Sequence, residues 1–103
     1  MLNVSLMRQE KTDEELKAWI LYKLAKHGYF HGRHTAFDNI AKGFKPQHLG
    51  REGHKRISRL SQDLIRQGLL IRKPTSYGLH VYLNAHKSED IGEFIRRTIG
   101  AEL

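Results

Sequence analysis

The sequence predicts an α+β domain: a three-helix core, a small antiparallel β-hairpin and a C-terminal helix. Three observations carry this. Gly50 to Gly68, GREGHKRISRLSQDLIRQG, places Ile57, Leu60, Ser61, Leu64 and Ile65 on one side at helical spacing. On the other side it places Arg51, Glu52, Lys55, Arg59, Gln62 and Arg66. The following run, LLIRKPTSYGLHVYLN, alternates apolar and polar residues on either side of a Pro/Gly-containing turn, the pattern of a hairpin. Thr12 to Gly28 carries both a start and a stop signal for a helix.

Taken in order, Leu2, Val4 and Leu6 alternate within residues 1–11, a pattern compatible with an edge strand or a partner-binding arm; a mobile terminus is the plainer reading. Thr12 reads as an N-cap and Glu15 completes a capping box. Asp13, Glu14 and Glu15 complement the positive end of the helix dipole; Lys23, Lys26 and His27 complement the negative end before Gly28. Leu16, Trp19, Ile20 and Leu24 form its buried stripe, so Trp19 reads as core rather than as a stacking platform. GYFHGRH (28–34) reads as a short strand at one edge of the hairpin. A second, short helix runs from a Thr35 cap to Gly43, with Phe37, Ile40 and Ala41 inward. Phe44 and Leu49 plug the junction with the third helix, and Pro46 opens a lead-in. Gly50 and Gly53 each weaken a helix by ~1 kcal/mol relative to alanine, so the firm helix runs from Arg51 to Gln67.

In the hairpin, Leu69 and Ile71 are expected to share the buried face of Leu79, Val81 and Leu83, with Pro74 to Gly78 as the turn. Asn84 or Ser88 caps a last helix with Ile91, Phe94, Ile95 and Ile99 on one side. That helix can pack on the same core or pair with its copy in a homodimer. The organisation is thus an arm (1–11), a domain (12–84) and a C-terminal helix (85–103).

The 103 residues bound the chain to one domain with a modest core. The chain has no cysteine, which excludes disulfides, thiolate metal sites and a cysteine nucleophile. No apolar run approaches the ~20 residues that span a bilayer, so the expected setting is cytoplasmic, at the nucleoid if the partner is DNA. His31 and His34, three apart, can share a metal, but the further ligands at zinc spacing are missing, and no metal or cofactor is expected. The acidic pairs Glu14-Glu15 and Glu89-Asp90 sit at helix starts, where the dipole explains them, and no Gly-rich phosphate loop is present. An enzyme is not expected.

The net charge is +7. Residues 16–88 hold fourteen Lys and Arg against Asp38, Glu52 and Asp63, a net of +11, while each end of the chain is at −2. Positive charge gathered in the middle points to a polyanion.

Helix, short strand, helix, helix and hairpin in that order resemble the winged helix-turn-helix family over residues 12–84. SQDLIRQGLLIRK and the wing-like KPTSYGLHVYLN carry the resemblance, and GLLIRKPTSYGLHVYLN is also similar to small archaeal winged-helix proteins. The connector GFKPQHL is longer than the tight turn of the simplest helix-turn-helix. The resemblance implies that the third helix enters a major groove of double-stranded DNA, in a transcriptional regulator or chromosome-associated factor. Arg51, Lys55 and Arg59 would then meet base edges, Gln62 would read adenine, and Arg33 and Arg56 would contact phosphate. Lys73, Thr75 and Tyr77 would lie along the flanking backbone or minor groove. A structured RNA, read by shape and backbone, and a protein-interaction role within a larger complex are the alternatives.

Overall fold

The computed structural model describes residues 9–30 and 32–103. The expected arm residues Leu2, Val4 and Leu6, and His31 of the histidine pair, lie outside the described residues. The elements are α1 (Asp13–Lys26), β1 (Thr35–Ala36), α2 (His54–Arg66), β2 (Leu70–Thr75), β3 (Gly78–Leu83) and α3 (Ser88–Ile99). The strands form one antiparallel sheet in the order β1-β3-β2.

Helix α1 is the hub. Its capping box is complete: the Thr12 amide donates to Glu15 Oε1 at 2.9 Å, and the Glu15 amide donates to Thr12 Oγ1 at 3.1 Å. Leu16, Ala18, Ile20, Leu21 and Leu24 are all buried, a wider face than one stripe. The reason is that α1 packs against α2 on one side and α3 on the other. Helix α3 brings Ile91 and Ile95, both fully buried, so the C-terminal helix belongs to the same core. Ile57, Leu60 and Leu64 of α2, and Leu70, Val81 and Leu83 of the hairpin, complete it. Ser61 is fully buried among them, and its hydroxyl finds no partner among the described residues, an orphan that costs about 1–3 kcal/mol.

Four expectations are corrected. Thr35 is not a helix cap: it sits in β1 opposite Val81, and the expected second helix is a chain of 3-10 turns over Phe37–Asn39 and Ala41–Gly43. Phe37, Ile40 and Phe44 need only single turns to dip into the core, and no side chain caps either turn. The edge strand lies at 35–36 rather than 28–34, where only Phe30 makes an isolated bridge to Leu83. Helix α2 starts at His54 rather than Arg51, because Gly50 (φ 70°) and Gly53 (φ 60°) turn the chain through left-handed backbone around a 3-10 turn.

The hairpin register is the fourth. Leu69 still belongs to the helix stop, its amide donating to Leu64 O at 3.0 Å, so the alternation starts at Leu70. Leu70 is buried opposite Leu83, whereas Ile71 faces Tyr82 on the other side of the sheet. The tip is Ser76-Tyr77, closed by the Thr75–Gly78 pair, so Pro74 is a residue of β2 and not of the turn. As β2 is an edge strand, the missing N–H of Pro74 can face away from the ladder. Asn84 links the two ends of this unit: its Nδ2 donates to Gly68 O at 2.9 Å, and its Oδ1 accepts from the His86 amide at 3.0 Å in the turn leading into α3.

Candidate nucleic-acid interface

The outward stripe of α2 is Lys55, Arg59, Gln62 and Arg66 by helical spacing, and all four are exposed. Arg51 is exposed in the 3-10 turn just before the helix. The cations on this surface differ in their freedom. Arg66 pairs with Asp63 one turn back. Arg59 donates through Nε at 3.1 Å and through Nη2 at 2.8 Å to the two Glu52 oxygens, and reaches Asp13 at 3.6 Å. The Glu52 hydrogen bond and the two carboxylates raise the Arg59 pKa, and the Arg59 guanidinium holds the Glu52 carboxyl below its usual range. Arg51 and Lys55 make no ion pair among the described residues.

Arg56, expected at a phosphate, is a correction. It is 7% exposed and its guanidinium is engaged on every nitrogen. Nε donates to Asp13 Oδ1 at 2.9 Å, Nη2 to Lys11 O at 2.7 Å, and Nη1 to Leu49 O at 3.2 Å with Glu10 Oε2 at 3.4 Å. Burial would raise the Asp13 pKa, but the hydrogen bond and charge of Arg56, with those of Arg59, outweigh it and hold the carboxyl below its usual value. Position 56 sits one residue from Ile57, on the flank that α1 and residues 9–12 cover. The acids Glu10, Asp13 and Glu52 therefore gather with Arg51, Arg56 and Arg59 around an open cleft of about 440 Å³. Helical spacing within one segment carries no sign of acids arriving from residues 10–13, so sequence reasoning could not find this neutralisation.

The hairpin carries the second group. Tyr77 is 92% exposed at the tip. Thr75 is not free to reach outward: its Oγ1 donates to Gly78 O at 2.7 Å and accepts from the Tyr77 amide at 3.0 Å, so it shapes the turn that presents Tyr77. Lys73 is exposed opposite His80, on the face away from Val81 and Leu83. Arg72, exposed on β2, is a cation that sequence reasoning missed, although its place in the alternation beside Lys73 is visible there.

Arg33 is exposed, with its guanidinium 5.6 Å from the Tyr29 ring centre near the C-terminal end of α1. It precedes His34, which meets the hairpin: the two Nδ1 atoms of His34 and His80 are 2.9 Å apart. Arg33 is thus next to the His34–His80 contact, and His80 in turn pairs with Lys73 across the hairpin. Burial first, then the charges of His80 and Lys73, push the His34 pKa below the ordinary 6.5. An unfolded chain therefore takes up this proton before the folded one, and stability falls as pH drops below 6.5 toward the depressed value. In an NMR titration His34 should protonate below the usual histidine range, and Lys73→Ala should move it upward.

Among the described residues no group of three or more His, Asp or Glu could hold a metal, and no helix is long and apolar enough to cross a membrane. The chain matches no protein-family model, no curated protein and no solved structure.

Proposed function

We propose that this chain is a winged-helix module that binds duplex DNA, as a transcriptional regulator or chromosome-associated factor. In this reading α2 enters the major groove and the hairpin lies on the flanking backbone or minor groove. The observation that carries it is the outward stripe of α2. Its Lys55 and Gln62 are exposed and Arg51 leads into it, while Ile57, Leu60, Ser61 and Leu64 on its opposite face are buried. The order helix, strand, helix, hairpin with the sheet order β1-β3-β2 supports the same reading. So does the net +11 over residues 16–88. Arg51 and Lys55 are the cations placed to meet DNA first; Arg59 serves as a brace for the helix start until Glu52 releases it. Lys73 and Tyr77 act from the wing.

A mobility-shift titration of duplex DNA at rising salt tests the reading. Affinity should fall steeply, with a log–log slope of about −0.9 for each phosphate neutralised. No shift at low salt overturns it. Structured RNA that outcompetes duplex DNA moves the assignment to an A-form partner.

A further inference from the structure

A second basic surface lies beside the cleft of Glu10, Asp13 and Arg56, with its Lys11 and His48 next in sequence to that cleft's Glu10 and Leu49. Lys11, Lys23, Lys45 and His48 surround an open cleft of about 240 Å³ whose apolar walls include Trp19 and Phe44. Among the described residues no carboxylate lines it, nor the adjoining cavity of about 250 Å³ that shares Lys23, Gly43 and Phe44. Two ammonium groups rest on the aromatic rings: Lys11 Nζ is 5.9 Å from the Trp19 ring centre and Lys23 Nζ is 5.2 Å from that of Phe44. Lys23 also donates to Gly43 O at 3.0 Å, and the Lys11 amide donates to His48 O at 2.9 Å. The residue 11 segment, α1 and the 43–48 turns are thereby held together as one rim. Trp19 is half-buried, at the border of the core and not inside it.

We propose that this cleft binds an unpaired nucleobase together with its phosphates, so that the protein takes a single-stranded segment of nucleic acid on a surface separate from α2. Two features of the cleft must be matched at once. The lysines ask for an anion, and among the described residues no carboxylate lines the cleft to supply one. The indole wall asks for a flat apolar ring, and base–aromatic stacking accepts any base. A peptide of acidic residues alone meets the first demand only. His48 adds a group suited to hydrogen bonding: burial, then the charges of Lys11, Lys45 and Lys23, hold its pKa below 6.5, which keeps the imidazole neutral near pH 7.

Trp19 is the only tryptophan, so its emission reports on this cleft alone. The intact protein is titrated with oligothymidylate of about 12 nucleotides, within the span one such surface covers. Saturable quenching is expected, weaker at high salt. Lys45 is exposed, so Lys45→Glu should keep the melting temperature and weaken the oligonucleotide about fivefold or more. The double variant Arg51→Ala/Lys55→Ala should quench as the parent does, which separates this surface from the duplex reading. An abasic oligonucleotide of equal length should bind more weakly and leave the emission unchanged. The proposal is overturned by absence of quenching at low salt or by a Lys45→Glu variant that binds normally. Equal quenching by the abasic strand or a polyglutamate peptide, or loss of quenching in the double variant, overturns it too.

Discussion

Arg56→Ala should be the most damaging single change at a charged residue of this protein, lowering stability by about 3 kcal/mol in urea melts. The side chain is 7% exposed and bonds to two carbonyls, Lys11 O and Leu49 O, as well as to Asp13 and Glu10. Removing it strips both carbonyls of a donor and leaves an acidic cluster facing itself. The carboxylates are half-exposed, with Asp13 at 46% and Glu10 at 57%, so water takes back part of their charge and the loss stays below that of a fully buried pair. For a domain of this size the loss corresponds to a fall of roughly 15 °C in melting temperature. Arg59 shares Asp13 with Arg56 but otherwise pairs with Glu52 and is 44% exposed, so Arg59→Ala should cost under about 1 kcal/mol. Equal losses at the two positions would refute the assignment of Arg56 as the pin between α2 and residues 10–13.

The largest effect on binding is expected from Arg51→Ala/Lys55→Ala, at unchanged stability. Both side chains are exposed and neither makes an ion pair among the described residues, so their charge is available to a phosphate without breaking anything. The double variant should weaken duplex DNA by about tenfold or more at low salt, and should flatten the salt dependence by about one unit of slope for each phosphate it no longer reaches. Arg59→Ala should do less, since that guanidinium already holds both oxygens of Glu52. Glu52→Gln should strengthen binding, because it removes a negative charge beside the stripe and loosens Arg59 from its carboxylate. A double variant that shifts DNA like the parent would leave the α2 reading without support.

These two expectations mark the boundary of what the amino-acid order reveals. Periodicity located α1, the buried seam of α2, the hairpin and α3, because each is a local pattern of apolar residues read over one to three turns or strand pairs. Capping at Thr12 and Glu15 is equally local, and it forms as the spacing predicts. The 35–43 segment misled because Phe37, Ile40 and Ala41 show helical spacing that 3-10 turns satisfy as well. The hairpin parity slipped because Leu69 is spent on closing α2, and one residue inverts every face of a strand. For the candidate site, exposure of Arg51, Lys55, Gln62, Lys73 and Tyr77 follows from their places opposite apolar neighbours. Charge partners do not follow from such places. Arg56 and Arg59 meet acids more than forty positions away at Asp13, an encounter that only the packing of α1 on α2 creates.

Pro74 sits in the outermost strand of a three-stranded sheet, with exposed Arg72 and Lys73 just before it. A neighbouring molecule that tried to extend the sheet there would meet a missing main-chain donor and two like charges brought against its own. The exposed cations and the proline of this edge thereby discourage ribbon-to-ribbon polymerisation, so the protein can be concentrated without its sheets fusing.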